Sequence, residues 1–418
     1  MDQAIAVVDI GKTRSKLSLW AAADGTPLRQ FDRVNAIGAQ APRQLDLDGI
    51  AAWLKLALAE AAALAEITAI VPVGHGAAGV LTAQGTAICA LDYEASPPRE
   101  VASAYDGQRD PFEATLSPRL EGGLNLGVQL YWLERLYPEL WPHAARFLLW
   151  PQYWAWWLSG EVASEVTSLG CHTDLWRPLE RRCSDLAVRR GWAERLGPLR
   201  GAGEVLGQVR PALAAELGLG RGCRVYCGLH DSNAALHAAR GIDELAGGPF
   251  AVVSTGTWFI CFAAGGPGPA VYDPSQDMLA NVDVTGLATP TARFMGGRDV
   301  EAWMGGALGA ASDPTRLREA AALTDWRRAP GVLRATRAAL ELARRTHRTL
   351  GLIAAEGPIL IEGRFAADEA FAVALARLRP GQAVYRSANT DGVAPGALRL
   401  AAPHLRPNSP LILVAAAS

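Results

Sequence analysis

Two short glycine turns are the first residues whose types and spacing could do chemistry. An apolar run, Ala4–Asp9, breaks at Gly11-Lys12-Thr13 and resumes at Lys16–Trp20. In the middle of the chain Phe250–Ser254 breaks at Thr255-Gly256-Thr257 and resumes at Trp258–Phe262. A glycine between two β-rich runs signals a hairpin, and the backbone N–H groups of such a bend can form a concavity that holds phosphate. Lys12 and Thr13 would add a charge and a hydroxyl at the first bend, and Thr255 and Thr257 two hydroxyls at the second. Only three of the 40 basic residues are lysines, Lys12, Lys16 and Lys55, and two of them fall in the first hairpin. The same residues also read as ordinary turns carrying a solvated lysine. Two matching hairpins are a trace of internal duplication.

Several polar residues stand where apolar runs end. Asp9 closes a strand, where a carboxylate is costly unless it is paired, hydrogen-bonded or bound to metal; it could hold Mg²⁺ through water or close the hairpin as an Asx turn. Asp231 follows Arg224–Cys227 and Gly228-Leu229-His230. It could take a proton from a substrate hydroxyl, or cap the helix that Ser232-Asn233-Ala234 begins. His75, between Gly74 and Gly76 after Ile67–Val73, could touch a substrate or be structural. Asp92 follows the run Thr86–Leu91. Trp150, Trp154, Trp156 and Trp157 read as helix packing.

Other chemistries find no support. The six cysteines contain no Cys-x-x-Cys pair, and the seven histidines no His-Glu-x-x-His. There is no Gly-x-Ser-x-Gly, and no Gly-x-Gly-x-x-Gly follows the first strand, which ranks a dinucleotide oxidoreductase low.

The elements that must position these residues alternate. The pattern predicts a helix over Asp48–Ala65 capped by Asp48, strands at Ile67–Val73, Thr86–Leu91, Phe147–Trp150 and Arg224–Cys227, and a helix from Asp231 to near Arg240. In the second half it predicts a helix over Leu333–Leu350, a strand Pro358–Ile361, a helix Asp368–Leu378, a strand Ala383–Tyr385 and a last helix from Pro395. Arg99–Arg119 reads as a long loop. Alternating strands and helices argue an α/β architecture whose ligands bind beyond the strand carboxyl ends, where His75, Asp92 and Asp231 fall. With 418 residues the chain has room for two or three domains. Its net charge of −2 argues against nucleic acid as a partner. No apolar stretch reaches the ~18 residues that span a bilayer, and Met1-Asp2-Gln3 does not open a signal peptide; a cytoplasmic protein without a membrane partner is expected.

Four segments in this order resemble one family. Asp9-Ile-Gly-Lys-Thr13 is similar to the first phosphate motif of the FGGY carbohydrate kinases, in the actin, hexokinase and heat-shock chaperone ATPase superfamily. Pro151–Glu161 with Thr167-Ser168 resembles the stretch before that family's catalytic strand, Gly228-Leu-His-Asp231-Ser-Asn-Ala234 its Gly-x-x-Asp loop, and Ser254-Thr-Gly-Thr257 its second phosphate motif. The resemblance implies an α/β fold of two ribonuclease H-like lobes with a cleft between them. Residues 1–242 would form the sugar-binding lobe with the catalytic base, and 243–418 the nucleotide-binding lobe. It implies Asp231 as general base, and His75, Asp92, Gln152 and Asn233 around the sugar. Gly11, Lys12, Thr13, Thr255, Gly256, Thr257 and Gly363 would hold ATP, and Asp9 would position Mg²⁺. Phosphoryl transfer needs positioning and charge neutralisation more than covalent chemistry, which suits this set. The adenosine motif departs from the family's consecutive glycines, reading Glu362-Gly363-Arg364-Phe365. The lysine of the first loop resembles the deoxy-ketose kinases of the fuculose and rhamnulose type. The expected activity is ATP-dependent phosphorylation of a ketose, deoxy-ketose or related polyol, with a small sugar as partner and a homodimer as an assembly it allows. The alternative is a non-catalytic or sensor-type nucleotide-binding member of the same superfamily.

Overall fold

A computed structural model describes residues 2–38, 41–141, 145–305, 311–388, 392–405 and 410–414. The chain divides into two compact units. One comprises Met1–Ala238 with Ala280–Ala288 and Val393–Arg406, the other Ala239–Leu279, Thr289–Gly392 and Pro407–Ser418.

The first unit is built on a seven-stranded sheet. It opens with β1 (Gln3–Ile10), β2 (Arg14–Ala21) and β3 (Pro27–Val34), followed by α1 (Leu47–Leu64) and β4 (Glu66–Gly74). Helix α2 (Trp150–Ser159), strands β5 (Val205–Gln208), β6 (Arg224–Tyr226) and β7 (Leu229–His230), and helix α3 (Asp231–Arg240) come later. The strand order is β5-β6-β4-β1-β2-β3, with β7 also paired to β4. β1 is antiparallel to β2 and parallel to β4, and β6 and β7 run parallel to β4.

The near-continuous apolar run of β1 follows from burial of both sheet faces. Ala4, Ala6, Val8 and Ile10 pack with Ile50, Leu54 and Leu58 of α1 and with Trp150 and Trp154 of α2. Ile5 and Val7 point the other way, onto Ala397 and Leu398 of the last helix. Of the four tryptophans expected to pack, Trp150 and Trp154 are buried with rings 5.6 Å apart, while Trp156 and Trp157 pack half-buried against the same core. Trp150 also donates its indole N–H to the Ile10 carbonyl at 2.8 Å, tying α2 to the end of β1.

The second unit repeats the arrangement. Strands β8 (Phe250–Thr255), β9 (Phe259–Ala264), β10 (Met278–Val282) and β11 (Ala288–Phe294) precede helices α4 (Gly296–Met304) and α5 (Gly331–Leu352). They are followed by β12 (Ile359–Gly363), α6 (Glu369–Leu378) and β13 (Val384–Ser387). Helix α7 (Val393–Ala401), which belongs to the first unit, and β14 (Leu411–Leu413) end the described elements. The sheet order is β10-β11-β9-β8-β12-β13-β14. As in the first unit, the opening strand pairs antiparallel with its hairpin partner and parallel with a later strand. Among the described residues no helix is long and apolar enough to cross a membrane.

Two local expectations are corrected. α1 is capped by Asp46, whose carboxylate accepts from the Gly49 N–H at 2.9 Å, because Asp46 and not Asp48 stands three residues before that donor. The 99–119 segment holds helices Arg99–Asp106 and Phe112–Thr115. Val101 and Tyr105, four residues apart, bury one face of the first, and Tyr105 donates its hydroxyl to Asp174 at 2.6 Å.

Candidate active site

In the first unit the carboxyl ends of β1, β4 and β7 gather most of the singled-out residues. Parallel pairing sets Asp9 of β1 beside Val73 and His230 of β7 beside Gly74. The chain reaches Asp231 through Gly228, whose φ is +76°. A Cβ there would lie 2.0 Å from the Pro72 carbonyl oxygen, so this turn demands glycine.

Asp231 begins α3 with its side chain 31% exposed. Its Oδ1 accepts from the Ser232 N–H at 2.5 Å and lies 3.1 Å from His230 Nε2; Oδ2 has no protein partner among the described residues. The His230 ring is buried, and burial lowers its pKa against the opposing pull of Asp231. Its Nδ1 lies 3.2 Å from Asn233 Nδ2. An amide NH₂ only donates, so Nδ1 accepts, the ring proton sits on Nε2, and Nε2–H points at Asp231. Asn233 is thereby employed in fixing a tautomer.

His75 is buried against Tyr93 and Trp150, with ring centroids 5.4 and 5.6 Å away. Its Nδ1 is 2.8 Å from the Gly76 carbonyl. A carbonyl only accepts, so Nδ1 carries the proton and Nε2 presents a bare lone pair, buried and without a protein partner among the described residues. Burial lowers the His75 pKa, and the Gly76 bond and the Asp231 charge offset part of that. Gln152 is completely buried under the loop, donating its amide to the carbonyls of Cys227 and Gly228 at 3.1 and 3.2 Å.

Lys12 is not solvated. Its ammonium lies 3.0 Å from Asp92 Oδ1 and 2.5 Å from Glu94 Oε1, over the Tyr93 ring at 4.2 Å, with the side chain 8% exposed. Arg43 reaches the other Asp92 oxygen at 2.7 Å. Two cations and two carboxylates cancel. Burial, with the charges of Glu94, Asp92 and Asp231 adding to it, pushes the Tyr93 phenol up to about 12, so it stays a hydroxyl. Glu165 is another buried acid. Burial raises it to about 7 even though bonds from Thr167 and Ser168 pull the other way.

In the second unit Thr255 is already engaged. Its hydroxyl donates to the Glu362 carbonyl at 2.6 Å and accepts from the Phe365 N–H at 2.9 Å. Gly363 follows with φ +83°, where a Cβ would lie 2.3 Å from the Thr255 carbonyl oxygen. Thr255 and Gly363 thus stitch hairpin to strand end. Thr257 is exposed at the bend, and its carbonyl accepts from the Gly297 N–H at the start of α4, 3.2 Å away. Beside this stitch lies a cavity of about 300 Å³ lined by Val300, Met304, Ala339, Leu342 and Phe365, with Asp368 on its wall.

Of the residues the sequence singles out, the structure brings Asp231, His75, Asp92 and Lys12 together. It sets beside them Arg43, Tyr93, Glu94 and His230, with Cys171 Sγ 3.5 Å from His230 Nε2 and Glu165 bonded to Thr167. The sequence singles out none of these six as site residues. His230 carried one readable signal, its place directly before the candidate base.

The comparisons with known proteins bear on the family and the fold. A family model described as the carbohydrate kinase FGGY C-terminal domain matches residues 247–328 and 318–408. No curated protein matches the chain. Among solved structures, a carbohydrate kinase from Novosphingobium aromaticivorans is 40% identical, over 99% of this chain and 94% of that one, with a TM-score of 0.92. A xylulose kinase from Rhodospirillum rubrum is 17% identical over 96% of this chain and 90% of its own, with a TM-score of 0.73. A glycerol kinase from Plasmodium falciparum, solved with ADP, is 11% identical over 96% and 89%, with a TM-score of 0.74. The latter two speak for the fold alone.

Proposed function

Since the chain belongs to the FGGY carbohydrate kinase family, we propose that it moves the γ-phosphoryl group of ATP onto a hydroxyl of a small neutral sugar, a ketose, deoxy-ketose or related polyol. The observation that carries this reading is Asp231, a carboxylate with one oxygen held and the other open, in the same unit as the bare lone pair of His75. The open oxygen would take the proton of the sugar hydroxyl as that oxygen bonds to phosphorus in line with the departing ADP. His75 Nε2 would accept from a second hydroxyl and fix which one faces Asp231.

Charge supports a neutral acceptor. Lys12 and Arg43 are already paired with Asp92 and Glu94, so a sugar acid would have to break a partly buried ion pair to be recognised there, which is costly. The cavity in the second unit, walled by apolar side chains together with Ser312 and Asp368, has the volume to take a heteroaromatic base, and Thr257, Gly256 and the α4 terminus stand by for phosphate. Thr255 and Gly363 would shape that site through the backbone. Mg²⁺ suits one carboxylate, Asp9, together with nucleotide phosphates, and when bound it would neutralise charge developing on the transferred group.

A panel of neutral ketoses, aldoses, polyols and sugar acids with Mg-ATP, read by coupled ADP release, tests the proposal. Release that depends on one group of neutral sugars is expected. Sugar-independent hydrolysis across the panel would support the sensor-type alternative instead.

Lys12→Ala separates a phosphate ligand from a sugar-pocket residue. Loss of the ammonium leaves Asp92 and Glu94 with Arg43 alone, so KM for the sugar should rise about tenfold or more, the scale of a lost charge-assisted contact, with KM for ATP changing less. The opposite split assigns Lys12 to the nucleotide.

A further inference from the structure

Glu165 is fully buried, and its acceptor capacity is spent within three residues. Oε1 accepts from the Thr167 N–H at 2.9 Å; Oε2 accepts from the Thr167 hydroxyl at 2.6 Å and the Ser168 N–H at 3.1 Å. The helix it caps, Val166–Leu169, is a single turn. A serine or threonine would cap that turn without the cost of burying a carboxyl group. Helix capping alone therefore does not account for a glutamate here.

The reason lies one bond further on. A threonine hydroxyl has one proton and two lone pairs. Glu165 claims the proton, which turns a lone pair of Thr167 Oγ1 toward the His230 N–H, 3.0 Å away. That N–H belongs to the residue directly before Asp231, whose ring in turn donates to the Asp231 carboxylate. We propose that Glu165 is a positioning residue: through the Thr167 hydroxyl it fixes the His230 backbone and so aims the Asp231 carboxylate. The assignment rests on Asp231 being the base.

Thr167→Val removes the hydroxyl at nearly constant shape, and Thr167→Ser keeps it. The first should lower kcat about ten- to a hundredfold, the scale of a misaimed catalytic group, with KM for ATP within about twofold. The second should recover most of the loss. Hydrogen–deuterium exchange over Gly228–Ser232 should speed up in Thr167→Val and not in Thr167→Ser, a readout independent of turnover. Glu165→Gln should act through the same bond, so the double variant should be no slower than the slower single. Thr167→Val with wild-type kcat and wild-type exchange would overturn the proposal, as would fully additive losses in the double variant. Were Asp231 itself to prove dispensable, the reading of the base would fail while the exchange experiment still judged the brace.

Discussion

Asp231→Asn is expected to lower kcat by roughly 10²–10⁴-fold, the usual contribution of a general base, and to leave binding of a non-hydrolysable ATP analogue unchanged by calorimetry. Asparagine keeps the size of the side chain and its bond to the Ser232 N–H, but cannot take a proton. Asp231 Oδ2 and His75 Nε2 have no protein partner among the described residues; the lone pair of His230 is used by Asn233. Protonating His75 would place a cation in a site whose burial already depresses its pKa, whereas Asp231 is partly solvated and becomes neutral on taking a proton. Asp231 can therefore take the proton without creating a buried charge. Phosphoryl transfer also asks little of it, since the nucleophile is weakly bonded in a loose transition state and its proton leaves late. If Asp231 only began a helix, the variant would lose neither turnover nor much stability, because asparagine caps a helix about as well as aspartate.

How much of this could be read in advance depends on the distance over which each contact acts. Strand runs, turn glycines and the start of the helix at Asp368 are local, and the sequence pattern located them. Segment 99–119 was misread because its helix is short and its anchor, Asp174, lies 69 residues from Tyr105. The candidate base and His75 were legible because each stands where an apolar run ends. The partners of Lys12 were not. Lys12 follows β1, whereas Asp92 follows the hairpin Gly79–Ala83 and Thr86–Cys89 of a separate three-stranded sheet, so only the tertiary fold brings residues 12 and 92 together. The tautomer of His230, and hence the bracing role of Asn233, needs two distances that no pattern encodes. Nothing in the sequence pattern singles out Glu165; its complete burial does.

Gly76→Ala should damage the site through a clash of side chains rather than of backbone. A Cβ at Gly76 would lie 2.5 Å from Cys171 Sγ and 2.9 Å from His230 Nε2. Neither neighbour yields easily. The thiol is buried and lies 3.5 Å from the same imidazole nitrogen, and the ring is held by Asp231 and Asn233. The added methyl must therefore move the ring off the base or open the surrounding core. Overpacking of this kind costs about 1–3 kcal/mol of stability, and a shift of the ring should reduce kcat about a hundredfold. Cys171→Ala opens space for the methyl at the cost of a small cavity. The double variant should therefore recover part of both losses, with a coupling of about 1 kcal/mol or more between the two positions, as expected for residues that share a volume. Thermal melts and kcat for the two single variants and the double measure this coupling. Strictly additive effects would mean that Gly76 and Cys171 do not contend for the space beside His230, and a Gly76→Ala enzyme of normal turnover would mean that the ring does not have to stay where it is for Asp231 to work.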